Sequence, residues 1–305
     1  MFIRFALCAS LLLPIFAFAG EPSGEYWHIE PGAGSMKMLS MPTAPRQAAL
    51  SGAGIASPRS ASETMRNPLS PVSANSMSLS FSKSEFSDNI GASRVSMLAH
   101  SLLGSWHLTA GIESLSYDEI EGYTNDGLTA NKSFFAAGTI ATQLGIARTF
   151  NSLSAGLTVR YANQNIEDYN KNGILFDGGV KYDLLKYFAF GAIFSNFGWI
   201  EKETAPLSVQ AGITGSFPLV LGFSGALSTD LYRRNDFKKI ELRSGLEIMY
   251  MEIFSIRFGD SINGEENYAL SAGFAFNLGF ADIEYTYQYH TALKANHIFG
   301  VSLYF

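Results

Sequence analysis

The stretch that decides the fold runs from Gly279 to Phe305 and reads GFADIEYTYQYHTALKANHIFGVSLYF. Large apolar residues alternate with polar or small ones from Ile283 to His290 and again from His297 to the end of the stretch. This period of two predicts β-strands with one apolar and one polar face. Because strand-like runs elsewhere repeat the pattern and few helices are left to bury them, it predicts a transmembrane barrel that closes at Phe305.

The composition favours a barrel over a helical membrane protein. Aromatic residues make up 13% of the 305 residues, charged residues 16%, and the mean hydropathy is +0.10. A polytopic helical protein would be far more hydrophobic, with apolar runs of about 20 residues. In a barrel, lipid-facing and lumen-facing residues average to a middling value. A soluble β-sandwich or solenoid is the alternative that composition alone leaves open.

Residues 1–19 predict a secretory signal peptide. Arg4 gives a positive start, Phe5–Phe16 form an apolar core, and Ala17-Phe18-Ala19 is a cleavage site. The single cysteine, Cys8, lies within it. We therefore expect an exported, cysteine-free chain without disulfides, thiolate metal sites or a cysteine nucleophile. The net charge of −6 becomes −7 once Arg4 is removed, which argues against nucleic acid as a partner.

Residues 20–75 predict a periplasmic lead-in followed by a helical plug. Residues 20–45 show no periodicity and predict an exposed lead-in. Pro45 suits the start of a short helix, and Ser60-x-x-Glu63 is a capping-box pattern for a second one. Such compact helices would fit in the lumen of a barrel or beneath it; an unstructured linker is the alternative. The residues that mark this plug motif are Arg46, Gly52, Gly54, Asn67 and Pro68.

Residues 76–305 predict an antiparallel barrel of about fourteen strands. Short connections, such as Met251 and Leu278-Gly279, alternate with long polar ones, such as 118–132 and 232–238. Outer-membrane barrels have short periplasmic turns and longer external loops, whereas a sandwich has no reason to sort its loops in this way. The predicted strands are roughly 76–83, 91–99, 105–117, 133–149, 152–167, 173–184, 187–197, 206–216, 219–231, 239–250, 252–259, 267–277, 280–290 and 295–305.

The sequence offers no motif for catalysis, a cofactor or a metal. His290 and His297 flank a predicted external loop, but histidines in loops and interfaces are common without a metal. Asp118, Glu119 and Glu121 suit a solvated acidic loop better than a protease rim. The chain lacks H-E-x-x-H, G-x-S-x-G and the His-x-Ser-Asn-Gly setting of barrel phospholipases. We therefore predict a protein that is not an enzyme.

Charged residues of both signs fall on the predicted lumen face. In a narrow barrel such charges are expected to pair with one another and with the plug, and the alternative is a selectivity lining for a solute path. The main candidates are Asp177, Lys181, Glu241, Arg243 and Glu247, joined by Arg160, Asp183, Arg257 and Glu284.

Aromatic and apolar residues at the predicted external strand ends favour an aromatic girdle at the lipid interface. Contacts with a partner protein are the alternative. The candidates are Tyr123, Phe197, Trp199, Ile200 and Tyr232.

Several short motifs resemble those of the PorV/PorQ family, and the PorQ branch in particular. Leu39–Ala56 is similar to the opening Arg-x-Ala-Ala-Leu-Gly-Gly-like segment of that family, and Asn67-Pro68 follows it at a similar distance. Ser51 stands where a glycine is expected, and Leu69 follows the Asn-Pro pair where alanine is usual. Further similar motifs are Tyr169-x-x-x-Gly173-x-x-x-Asp177-x-Gly179, Ser195-Asn196-Phe197-Gly198 and Pro206-Leu-Ser-Val-Gln-Ala-Gly212.

The resemblance implies a FadL-like barrel of fourteen strands with an N-terminal hatch, in the outer membrane of a Gram-negative-type bacterium. It also implies an accessory role in type IX secretion, where PorV-like members pass cargo from the translocon to a surface attachment complex. The expected partners are outer-membrane lipid and proteins of that machinery. FadL-like uptake of hydrophobic small molecules, with a hydrophobic ligand, is the alternative, and a purely structural surface barrel is a third.

Overall fold

The computed structural model describes most of the chain from Met36 onward. The predicted signal peptide, the lead-in up to residue 35 and Ser60, Asp118 and Glu119 lie outside the described residues. The described ranges are 36–59, 61–70, 77–86, 90–103, 106–117, 120–125, 130–135, 137–166, 169–201, 203–264, 268–290 and 294–305.

The described chain is almost entirely β-structure. Its helical elements are two 3₁₀ turns, Lys37–Ser40 and Ala61–Met65, and the five-residue helix α1, Pro45–Ala49. The strands are β1 Ser78–Phe86, β2 Ile90–Leu103, β3 Trp106–Tyr117, β4 Ile120–Asn125, β5 Ala130–Phe135, β6 Ala137–Phe150, β7 Leu153–Ile166, β8 Tyr169–Leu185, β9 Phe188–Ile200, β10 Ser208–Pro218, β11 Phe223–Arg234, β12 Glu241–Tyr250, β13 Phe254–Ile262, β14 Tyr268–Asn277, β15 Ala281–His290 and β16 Asn296–Tyr304.

The strands form a closed antiparallel barrel in the order β1-β16-β15-β14-β13-β12-β11-β10-β9-β8-β7-β6-β3-β2. The first strand pairs with the last, from Ser78 opposite Tyr304 to Glu85 opposite His297. The prediction of an all-β antiparallel fold with little helix is confirmed. Strands β4 and β5 form a separate two-stranded sheet. The run 133–149, which is long enough to be split, is divided in the structure, because its first residues leave the barrel to pair with β4.

The outer wall is apolar and the inner wall polar, the reverse of a soluble protein. In β7, Leu157 is 61% exposed while its neighbours Thr158 and Arg160 are buried. The same alternation holds along β1, β6 and β13. An exposed apolar outer face is what a bilayer requires of a barrel. Among the helices of the described residues, none is long and apolar enough to cross a membrane.

The two ends of the barrel differ. The turns at one end are short, and several bend through left-handed residues such as Asn151 at φ 55° and Gly279 at φ 84°. We call this the turn end. The other end, where β3 connects to β6 and β9 to β10, carries the longer connections and is called the loop end.

Residues 36–59 and 61–70, the N-terminal segment, lie inside the barrel. Met36 and Leu39 pack against Phe86 at the loop end, and Pro68 packs against Gly156 near the turn end. Between residues 36 and 70 the segment thus runs through the lumen from the loop end toward the turn end. The prediction of an exposed lead-in is wrong for residues 36–45, because their apolar side chains bury against apolar residues of the inner wall.

Candidate functional site

Glycines on the inner wall make room for the N-terminal segment. A Cβ placed on Gly259 would lie 2.3 Å from the carbonyl carbon of Leu50, and one on Gly156 would lie 2.0 Å from the carbonyl oxygen of Pro68. Glycine within a strand often marks such close backbone approach. The glycines within these strands therefore indicated a close backbone contact in the sequence, but not that the N-terminal segment makes it. Other glycines in contact with the segment are Gly179, Gly191, Gly245, Gly273 and Gly300.

Arg46 joins the segment to the wall through a buried ion-pair network. Its Nη2 lies 2.9 Å from Glu247 Oε2, and its Nη1 lies 3.1 Å from Glu63 Oε1. Arg257 pairs with Glu247 at 2.8 Å and with Glu284 at 2.5 Å. All five side chains are buried, so each charge depends on its partners.

Two residues of this network, Arg46 and Glu63, belong to the N-terminal segment, and the geometry explains their pKa shifts. Burial opposes the charge on Arg46, but the carboxylates of Glu247 and Glu63 outweigh it and raise the pKa of Arg46 above its ordinary value. Burial raises the pKa of Glu63 above its ordinary 4.5 in spite of the Arg46 guanidinium. Arg46 therefore stays charged, whereas the charged form of Glu63 is disfavoured by docking.

Arg66 makes a second attachment that the sequence did not indicate. Its Nη2 lies 2.8 Å from Glu113 Oε2 of β3. The same guanidinium donates to the carbonyl oxygens of Met38 at 2.9 Å and Met41 at 3.0 Å. The hydroxyl of Thr43 donates to Glu113 Oε1 at 2.6 Å. One carboxylate of the wall thus fixes two parts of the segment.

Asp230 of β11 holds the glycine turn that follows α1. Its Oδ2 accepts hydrogen bonds from the amides of Gly54 at 2.9 Å and Ile55 at 3.2 Å. Gln210 donates to the same oxygen at 2.8 Å and to the carbonyl of Gly52 at 2.8 Å. The left-handed φ of Gly52, 81°, and of Gly54, 92°, turns these groups toward the wall.

The Asn67-Pro68 pair has a structural role as well. Asn67 Nδ2 donates to the carbonyl of Ile55 at 3.1 Å, and its Oδ1 accepts from the amide of Leu69 at 2.9 Å. These bonds fix the turn that presses Pro68 onto Gly156. All five residues of the predicted plug motif thus contact the barrel or brace the segment.

Arg160 and Asp177 pair across the lumen face of β7 and β8, with Arg160 Nη2 lying 2.6 Å from Asp177 Oδ2. Arg160 also donates to the carbonyl of Met65 at 2.5 Å and to Asn196 Oδ1 at 2.7 Å. Asp177 Oδ1 accepts the amide of Asn196 at 2.6 Å, at a bulge between β8 and β9. These two predicted lumen charges therefore pair with each other, and Arg160 contacts the segment.

The remaining predicted lumen charges form local pairs. Glu241 and Arg243 lie 3.0 Å apart. Lys181 and Asp183 lie 3.1 Å apart near the turn end, where Asp183 is half exposed. This second pair takes no part in holding the segment.

Two of the girdle candidates are not at the lipid interface. Tyr232 is buried against Phe237 and beneath the Arg243 guanidinium, 3.5 Å from its ring centre. Ile200 is buried at the loop end, because it turns inward at the end of β9. Phe197 and Trp199 are exposed as predicted, and the side chain of Tyr123 lies outside the described residues.

An apolar cluster fills the loop end of the largely polar lumen, and a smaller one is formed by Ile55, Leu69 and Ile193. Met36, Met38 and Leu39 of the segment pack there, with Met41 at its border. We call it the loop-end cluster. The wall residues that complete it are Phe86, Leu115, Ala141, Ala162, Leu175, Ile200 and Ala205.

The histidine pair does not form a metal site in this structure. His297 Nδ1 lies 2.8 Å from the hydroxyl of Tyr285. Across the part of the chain that the structure describes, no group of three or more metal-ligating side chains comes together.

Solved structures of hydrocarbon transporters share this fold. The toluene transporter TodX of P. putida has a TM-score of 0.62 at 10% identity over 86% of this chain and 98% of its own. The Ralstonia pickettii toluene transporter TbuX also has 0.62, at 13% identity and the same coverage. The monoaromatic hydrocarbon channel CymD has 0.58 at 12% identity over 86% of this chain and 97% of its own.

No family model and no curated protein matches the chain. The resemblance to PorV/PorQ therefore stays a prediction from the motifs. At these identities the structural likeness establishes the fold alone. The chain shares the barrel fold of these hydrocarbon transporters and channels, in agreement with the FadL-like barrel that the motifs implied.

Proposed function

We propose that this chain is an outer-membrane channel of fourteen strands with an N-terminal plug, and that it admits small hydrophobic molecules. The observation that carries the proposal is the loop-end cluster. It is the larger of two apolar clusters inside a largely polar barrel, the other being Ile55, Leu69 and Ile193. An apolar compartment at the end predicted to face outward suits the capture of an apolar solute.

The plug itself contributes the most adaptable part of this compartment. Met36 and Met38 are flexible, polarizable side chains that fill irregular apolar space. They belong to the segment, whereas Leu175 and Ile200 belong to the wall. Movement of the segment would therefore free an apolar space without unfolding a strand. TodX, TbuX and CymD, which share the fold, are described as toluene or monoaromatic hydrocarbon transporters.

The test is the uptake of a radiolabelled monoaromatic hydrocarbon by cells with and without the protein, beside a polar solute of similar size. We expect faster hydrocarbon uptake in producing cells and no change for the polar solute. Met38→Ala should raise hydrocarbon uptake further, because it enlarges the compartment, whereas Met77→Ala, at an exposed position near the turn end, should not. Equal hydrocarbon uptake with and without the protein would refute the proposal.

The accessory role in type IX secretion remains a second proposal that rests on the motif resemblance. The motif residues Arg46, Gly52, Gly54, Asn67 and Pro68 all serve to seat the segment in the barrel, a structural role that either function requires. They therefore do not discriminate between the two. Both functions are non-enzymatic, and both place the chain in contact with outer-membrane lipid.

A further inference from the structure

The turn end of the barrel carries unusually apolar, exposed turns. Between β10 and β11 the turn reads Leu219-Val220-Leu221-Gly222, and Val220 and Leu221 are 77% and 85% exposed. The next two turns expose Met251 and Ile253, and then Leu278 and Phe280. We define the turn patch as Leu219, Val220, Leu221, Met251, Ile253, Leu278 and Phe280. Large exposed apolar patches mark a surface that contacts something other than water.

The three turns lie side by side and are joined by backbone hydrogen bonds. The amide of Met251 donates to the carbonyl of Gly222 at 2.9 Å, and the amide of Asn277 donates to the carbonyl of Ile253 at 2.7 Å. The amide of Tyr304 continues the series to the carbonyl of Phe280 at 2.9 Å. The patch is therefore one continuous surface along an arc of the barrel rim.

Bonds within the turns satisfy more of the backbone. Leu219 donates to the carbonyl of Phe223 at 2.8 Å, Ile253 to Tyr250 at 2.9 Å and Leu278 to Ala281 at 2.8 Å. A turn in water has no need of such pairing, because water can replace it. In hydrocarbon, each unpaired backbone group costs several kcal/mol. These bonds reduce the number of unpaired backbone groups in the three turns, and so lower the cost of contact with acyl chains.

The local chemistry of the β12–β13 turn points the same way. Met251 and Glu252 both have left-handed φ, 49° and 60°, at the two central positions of a turn closed by the bond from the amide of Ile253 to the carbonyl of Tyr250. Hairpins of this shape favour Asn-Gly or Asp-Gly. Methionine is a poor choice for the backbone there and a good one for contact with lipid. Glu252 is the one charged residue in the three turns.

Strand length explains why apolar turns are needed on the β12–β16 part of this arc, whereas β10 and β11, which carry the first turn, have 11 and 12 residues. Strands β12 to β16 have 9 or 10 residues, whereas β6 to β9 have 13 to 17. At about 3.4 Å per residue and a tilt of about 45°, the short strands span about 22–24 Å. The apolar band of an outer-membrane barrel is about 25 Å tall. Apolar turns supply the missing height.

The turn end of the long strands differs in chemistry. Arg148 of β6 lies over the rings of Trp106 and Phe150, at 4.9 and 4.5 Å from their centres. Lys186 lies 5.4 Å from the ring centre of Tyr187 in the β8–β9 turn. Cations beside aromatic rings suit the headgroup layer. The long strands therefore reach the headgroups on their own, and the short ones do not.

We propose that the turn patch is immersed in the acyl chains of the inner leaflet of the outer membrane, and that it completes the lipid-facing belt on the short-strand side. The patch is continuous with the exposed outer-wall rings of Phe223 and Phe276. This placement depends on the barrel spanning a membrane. It does not depend on which molecules pass through it.

The test uses single cysteines in an otherwise cysteine-free chain, made by Cys8→Ser in the signal peptide. Leu221→Cys and Leu278→Cys report on two turns of the patch, and Lys186→Cys is the matched control in a turn of the long-strand side. Each protein is labelled with an environment-sensitive fluorophore and reconstituted in phospholipid vesicles. Folding is checked for each by the heat-dependent shift of barrel proteins on gels, so that either patch position can stand if the other fails to fold.

Two quenchers then locate the label: nitroxide on the acyl chains of the phospholipid, and iodide in water. We expect the patch labels to be quenched several-fold more by the lipid nitroxide than the label at residue 186, and several-fold less by iodide. Patch labels as accessible to iodide as the control would overturn the proposal. Labels shielded from both quenchers would also overturn it, because another protein surface would then cover the patch.

Discussion

Replacement of Arg46 by methionine should release the N-terminal segment from the barrel. Methionine keeps much of the side-chain volume but removes the guanidinium that lies between Glu247 and Glu63. Both carboxylates are buried. Glu247 retains Arg257 at 2.8 Å, so the larger loss falls on Glu63.

Removing one partner of a buried ion pair costs about 3–5 kcal/mol. Since about 1.4 kcal/mol corresponds to a factor of ten, the ratio of released to docked segment should rise by a factor between about 10² and 4 × 10³. Arg59 provides the matched control. It lies 3.6 Å from the same Glu247, but its side chain is 33% exposed, so its loss should cost no more than about 1 kcal/mol.

The assay is the rate at which a membrane-impermeant maleimide labels Ala48→Cys. Ala48 is fully buried in α1, so labelling requires the segment to leave its seat. The labelling rate should rise with the fraction of released segment, so Arg46→Met should increase it by the factor estimated above. Arg59→Met should increase it by less than about tenfold. Equal rates in the two variants, or no acceleration by Arg46→Met, would refute the view that this network holds the segment.

Three further predictions use the same labelling assay. Gly259→Ala should release the segment at a cost of about 1–3 kcal/mol, because its Cβ would meet the Leu50 backbone at 2.3 Å, whereas Gly215→Ala on the outer face, near a ring that can move, should not; equal rates would contradict this. Because burial raises the pKa of Glu63, docking should tighten as pH falls through the raised pKa toward 4.5, and Glu63→Gln should weaken that dependence; a loosening at lower pH in the wild type would be contrary to it. Asn67→Ala should weaken docking by about 1–3 kcal/mol, because the hydrogen bonds to Ile55 and Leu69 are lost. Labelling at the wild-type rate would contradict this prediction.

Local patterns in the sequence were sufficient to predict the strands of an all-β antiparallel fold and their two faces. The alternation from Ile283 to His290 is a property of neighbouring residues, and it predicts β15 with the faces that the structure shows. The length of the run 133–149 indicated that it could be split, but the residue at which it divides was not predicted, because a strand that leaves the barrel and one that stays have the same period.

The attachments of the segment could not be predicted in the same way. Arg46 and Glu247 are 201 residues apart, and the sequence singled out both without indicating that they pair. Glu113, Gln210 and Asp230 received no role, because an inward polar residue in a strand looks the same whether it binds the segment or another wall residue. Only the three-dimensional path of residues 36–70 distinguishes these cases.

The most direct test of the account compares cells with and without this gene in two measurements on the same cultures. The first is the uptake of a monoaromatic hydrocarbon, and the second is quantitative mass spectrometry of surface and secreted proteins. Our account predicts that uptake falls when the gene is deleted, recovers on complementation and leaves the exported proteins unchanged. Unchanged uptake with selective loss of a set of exported proteins would contradict it and place the chain in secretion instead.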